Sequence, residues 1–229
     1  AMFDGVFLVP LFLQTVMGLS PVETGLLLLP ASLATGIIMP VSGALFDRFG
    51  ARPLVVLGMA VATFTTLQFH KLSLVTPLAT IMLWYMYRGL GMGLTMMPAT
   101  TAGLNTVELD KVSRATAITN TIRQVSSSFG IAVFNTLLQR RLVFHAADLA
   151  SSLNAGNPTV HAALAKLGAP LAWRLLSGVV QQQAFVQAID DVFWVATWFT
   201  VSGAILGLFL RSNGKERPAK GQSAMAAEI

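Results

Sequence analysis

The chain has 229 residues, of which 54% are hydrophobic and only 11% charged. A water-facing globule carries about 25% charged residues, so this composition excludes a soluble domain and puts most of the surface against lipid. The net charge of +5 is spread too thinly to follow a nucleic-acid backbone, and the lack of cysteine excludes disulfides, thiol catalysis and Cys-ligated metal.

Crossing a bilayer takes roughly 20 apolar residues. Spans are expected at about 1–17, 22–46, 54–70, 78–104, 113–138 and 189–210, giving an all-α, polytopic transmembrane helix bundle. The first is short. The opening Ala1-Met2-Phe3-Asp4 has no basic flank of a signal peptide and reads as the middle of a helix whose beginning is missing. The connections at Gly18-Leu19-Ser20-Pro21, Asp47-Arg48-Phe49-Gly50, 73–77 and 108–110 are brief, which makes neighbouring helices antiparallel.

Ahead of the second span, Ser20-Pro21-Val22-Glu23 has an N-cap serine, a first-turn proline and an acid at the capping-box position. Glu23 is thus expected to cap, the functional alternative being a protonatable acid at the outer mouth. Between the second and third spans lies Gly43-Ala44-Leu45-Phe46-Asp47-Arg48-Phe49-Gly50-Ala51-Arg52-Pro53. Gly43 and Gly50 permit close helix approach and a tight turn. Asp47 suits the free N–H groups of a neighbouring helix start, and Arg48 and Arg52 can pair with acids or lipid phosphates. Such a loop can act as a conformational latch.

Ionisable groups inside a membrane are costly and are functional candidates by default. In the fourth span, Arg88 falls near or beyond the midplane, and is either a functional group or one that snorkels to the outer headgroups or caps carbonyls of an adjacent helix. In the fifth, Asn120 and Gln124 are four apart and share a face, with Arg123 beside them. They either line a central cavity or hold the bundle by interhelical hydrogen bonds. The GxxxG pairs Gly89/Gly93 and Gly203/Gly207 are expected to serve tight helix packing.

The stretch 139–188 is too polar to span and holds a turn signal at 154–158. It reads as an extracytoplasmic loop with surface-lying amphipathic helices, the latter continuing into the last span. Asp190 and Asp191 fall at the outer start of that span, where capping or a cation-attracting mouth would suit Asp191. Residues 211–229 read as a disordered tail. Arg48, Arg52, Lys111, Arg114 and the tail's basic residues fall on one side of the short loops, which the positive-inside rule makes cytoplasmic. The three histidines, His70, His145 and His161, are scattered. No metal or cofactor site is expected, and no acid or histidine cluster within the spans suggests an enzyme.

Several of these segments together resemble one family. Gly43 to Pro53 is similar to the major facilitator signature G-x-x-x-D-R-x-G-R-[KR], with Ala51 in place of a basic residue. Leu13-Gln14-Thr15-Val16-Met17-Gly18-Leu19-Ser20-Pro21 with Gly25-Leu26 and Leu29-Pro30 resembles the corresponding entry segment of the fourteen-span drug:proton antiporters of the EmrB/QacA type. So do Arg88-Gly89-Leu90-Gly91-Met92-Gly93 with Pro98, Asn120-Thr121-Ile122-Arg123-Gln124 with Gly130-Ile131-Ala132, and the 183–193 segment. The resemblance covers nearly the whole chain. It implies the six-helix C-terminal half of a major facilitator fold, first helix truncated, in a bacterial inner membrane with the C-terminus cytoplasmic. It further implies proton-coupled export of a small amphipathic or cationic substrate, with membrane lipid, protons and a missing N-terminal half as partners. By internal symmetry, Arg88 would match an arginine that takes part in proton coupling. Transport of another metabolite or siderophore, or a non-transporting scaffold, are the rival readings.

Overall fold

In a computed structural model, described over residues 2–153, 160, 165 and 168–209, the chain is all-helical, with no strand among the described residues. The helices are α1 (Met2–Thr15), α2 (Pro21–Phe49), α3 (Ala51–Phe69), α4 (Leu78–Leu104), α5 (Val112–Ser152) and α6 (Ala169–Leu208), with a 3-10 turn at Leu109–Lys111 before α5. The 211–229 tail and the 154–158 turn signal lie outside the described residues. By length and hydropathy alone α2, α3 and α6 can cross a membrane, while the apolar part of α1, Gly5–Thr15, is shorter.

Glycine placement decides how closely these helices meet. On α4, Gly89 and Gly93 face α2: a Cβ on Gly89 would sit 2.6 Å from the Ala31 carbonyl oxygen, and one on Gly93 would collide with Ile38. Gly91, on the opposite side, faces α3, where a Cβ would lie 2.7 Å from the carbonyl oxygen of Gly58. The alternate glycines of this segment therefore let α4 sit tightly between two helices at once. Gly203 and Gly207 of α6 meet Met59 and Val55 of α3, so both GxxxG pairs pack helices as expected.

The core gathers where α1 enters the bundle. Leu8, Val9, Phe12 and Leu13 are fully buried against Phe69, Ile81, Phe134, Ile189 and Phe193. Phe69 and Phe193 stack at 5.5 Å between centroids. Burial of one face, Leu8, Val9, Phe12 and Leu13, stabilises α1 in spite of Pro10 and its short apolar run, while Val6, Gln14 and Thr15 stay exposed. By contrast, α2 exposes Val22, Leu26, Leu29, Leu33 and Ile37 along one stripe, and α5 exposes Ile118, Ile122, Val125 and Phe129 along another.

Within 139–188 the described stretches 139–152 and 169–188 are helical, the second running on into the last span as expected, while the first is a continuation of α5 rather than loop. α5 runs 41 residues to Ser152, and α6 starts at Ala169 and runs 40 residues. Residues 139–152 contain neither glycine nor proline and are rich in Ala, Leu and Arg, so the rise in polarity there does not end the helix. Leu142 still packs on the shared core, and Ala172 of α6 is buried. Each helix, at ~1.5 Å per residue, is about 60 Å long, roughly twice the ~30 Å hydrocarbon thickness.

Candidate functional site

Arg88 is carried on α4 and is only 4% exposed, so it does not snorkel to a surface. Its Nη1 donates to Thr66 Oγ1 on α3 at 2.9 Å, and Thr66 in turn donates to the Ala62 carbonyl at 2.8 Å. The guanidinium lies across Gly5 of α1, where a Cβ would come within 2.7 Å of Cζ. One cation thus ties three helices together inside the bundle.

The polar residues of α5 stand elsewhere. Arg123 Nη2 reaches Thr100 Oγ1 of α4 at 3.3 Å, and Thr100 is twelve residues beyond Arg88, ~18 Å along the helix. Asn120 and Gln124 are exposed on the open face of α5. The structure therefore separates Arg88 from the Asn120, Arg123 and Gln124 group, and the latter divides between an interhelical bond and an open polar face.

The α2–α3 turn is tight because Gly50 adopts φ 79°, a conformation that only glycine adopts freely. Its N–H closes on the Phe46 carbonyl at 2.8 Å. The close approach expected at Gly43 is not formed: a Cβ there would meet nothing within 4 Å. Asp47, Arg48 and Arg52 are all exposed. Arg48 rests 5.4 Å over the Phe49 ring, and the start of α3 has no side-chain cap, so Asp47 does not cap that neighbour.

Glu23 forms the expected capping box: Ser20 N–H donates to Glu23 Oε2 at 2.8 Å, and Glu23 N–H to Ser20 Oγ at 3.3 Å. Asp191 does not cap α6, because that helix begins at Ala169 and places Asp191 mid-helix. It pairs instead with α5, with His145 Nε2 at 2.8 Å and Arg141 Nη1 at 3.6 Å. On the other side of the same turn, His70 Nδ1 lies 3.1 Å from the Asp190 carbonyl oxygen. Sequence reasoning missed this polar junction; the signal was the four-residue spacing of Arg141 and His145, which puts both on one helix face. Among the described residues no three His, Asp or Glu side chains converge as a metal-binding group.

Comparison with known proteins fits this geometry. Residues 2–131 match the family model described as Major Facilitator Superfamily. The chain is 37% identical over 96% of its length to the Uncharacterized MFS-type transporter YhcA of Bacillus subtilis, covering 44% of that protein. It is 30% identical over 90% of its length to the Tetracenomycin C resistance and export protein of Streptomyces glaucescens, covering 41% of it. Over 57% of its length it is 37% identical to the Lincomycin resistance protein LmrB of Listeria innocua, covering 28% of that chain. The chain therefore spans less than half the length of these relatives.

Proposed function

Because this chain belongs to the Major Facilitator Superfamily, we propose that it is the C-terminal six-helix half of a proton-coupled exporter of amphipathic or cationic compounds. The observation that carries the reading is the match along nine-tenths of the chain to a protein named for resistance and export, of which it covers 41%. Supporting it, the exposed apolar stripes of α2 and α5 are long, regular and unpartnered, as an apposed second half would require. The substrate would then sit near the midplane between two halves that rock about it. Arg88, held between three helices, is the proton-linked candidate of this half. Asn120 and Gln124 face the side where substrate would pass, with Arg123 fastened to α4.

We place the α2–α3 turn at the cytoplasmic face, and with it the latch of Gly43, Asp47, Arg48, Gly50 and Arg52. Two contacts support a common end for these basic residues. Ser42 of α2 donates to the Leu94 carbonyl of α4 at 3.3 Å, which pairs their C-terminal halves. Gly207 of α6 packs on Val55 of α3. Arg48, Arg52, Lys111 and Arg114 then share one side, which the positive-inside rule assigns to the cytoplasm, and α6 ends there. The α5–α6 junction at Asp191 and His145 faces outward.

The test is efflux from proteoliposomes, comparing the intact polypeptide that contains this chain with the chain alone. A cationic dye should leave vesicles holding the intact polypeptide, and the flux should stop when the proton gradient is collapsed. The chain alone should move nothing. Transport by the chain alone would refute the half-transporter reading. An intact protein inert to a panel of amphipathic drugs but active on a metabolite would replace the substrate class.

A further inference from the structure

Along the seam of α3 and α6 runs an apolar groove of about 350 Å³. Its α3 wall carries Val56, Ala60, Thr63 and Leu67, and its α6 wall includes Val201 and Leu208. Thr63 is the one polar residue among those lining it. From Val56 to Leu67 is eleven residues, ~16 Å along the helix, or about half of the ~30 Å hydrocarbon thickness. The groove is therefore as deep as a single leaflet. Both walls belong to helices apolar enough to cross a membrane.

Arg52 extends the same stripe. Positions 52, 56, 60, 63 and 67 recur at spacings of four, four, three and four, which is one face of an α-helix. Arg52 is exposed and, among the described residues, has no ion pair. It stands one turn beyond the groove's Val56 end, ~6 Å further along the axis, at the depth where headgroups begin. A fixed cation over a leaflet-deep apolar slot matches an anionic headgroup on an acyl chain, and a basic side chain at that level favours anionic lipid.

We propose that the α3–α6 seam is a binding site for an anionic phospholipid, one acyl chain in the groove and the phosphate on Arg52. The proposal goes beyond the transport reading and stands whether or not the protein exports drugs. A second copy of the chain is the competing occupant. Such a copy would cover the groove from both leaflets and would have no use for a lone cation at one end.

Native mass spectrometry of the intact polypeptide, titrated with phosphatidylglycerol and phosphatidylcholine of matched tails, tests it. The wild type should prefer phosphatidylglycerol about fivefold, the effect expected of one basic residue near the surface. R52Q should bring the ratio near unity, and A60F, which fills the slot, should reduce retention of both lipids. Unchanged selectivity in R52Q, or undiminished retention in A60F, would overturn the site. Should A60F fail to fold, phosphatidylglycerol with a tail diazirine, supplied at one per protein, gives an independent reading on the wild type. Adducts on 56–67 and 201–208, competed by unlabelled phosphatidylglycerol, support the proposal. Adducts confined to other helices, or seam adducts that unlabelled phosphatidylglycerol does not compete, refute it.

Discussion

Arg88 on α4 and Thr66 on α3 are joined by a 2.9 Å hydrogen bond in the interior of the bundle, three residues from a second threonine whose hydroxyl has no partner among the described residues. The pair makes a controlled comparison. Thr66 Oγ1 accepts from a buried cation and donates to a carbonyl, whereas Thr63 contributes only shape.

Thr66→Val should therefore destabilise by about 1.5–3 kcal/mol, the range for a hydrogen bond to a charged group. Thr63→Val keeps the volume and removes an unsatisfied hydroxyl, so it should be neutral or slightly stabilising. Thermal unfolding of the intact polypeptide in detergent separates the two. Equal losses would show that Arg88 does not depend on Thr66.

The glycine contacts give a ranked series. Gly91→Ala drives a methyl into the Gly58 carbonyl, part of a backbone that has no room to yield. Gly203→Ala meets the mobile end of Met59, and Gly130→Ala meets nothing within 4 Å. Folded yield and melting temperature should fall most for G91A and little for G203A. G130A should match or exceed the wild type, because alanine favours helix over glycine by about 1 kcal/mol.

At the start of α2, Ser20→Ala should cost about 1 kcal/mol by removing the cap. Glu23→Gln retains an oxygen able to accept from the Ser20 N–H and should leave transport intact. Loss of proton-driven transport in E23Q at normal folded yield would instead make Glu23 a titrating group of the cycle.

Asp47 is exposed and caps no helix start among the described residues of α2 to α6. Asp47→Asn should leave the melting temperature unchanged while lowering the transport rate, since the latch would act only when another segment docks on it. A parallel fall in stability would mean that Asp47 already supports this half.

Helix packing was legible in the sequence at the two GxxxG pairs, though not at Gly43. Gly89, Gly93, Gly203 and Gly207 could be assigned to seams because the missing Cβ acts through local sterics alone. The capping box at Ser20 and Glu23 was equally local. What could not be read was where a helix ends. Hydropathy reports polarity, and α5 runs on through the more polar residues after 138 because no breaker stops it. Asp191 was misplaced for the same reason: an assumed helix start gave it N–H groups to cap, when its partners were Arg141 and His145 on another helix. Arg88 was identified as costly, but its partners Thr66 and Gly5 are set by tertiary contact and leave no mark of their own.

The length of α5 and α6 has a mechanical consequence. Two continuous rods of about 60 Å, packed against each other and joined by the Asp191–His145 contact, behave as a lever. A tilt of about 10° about one end sweeps the far tip through about 10 Å. A small angular change at one end of the pair would thus become a displacement of several side chains' width at the other.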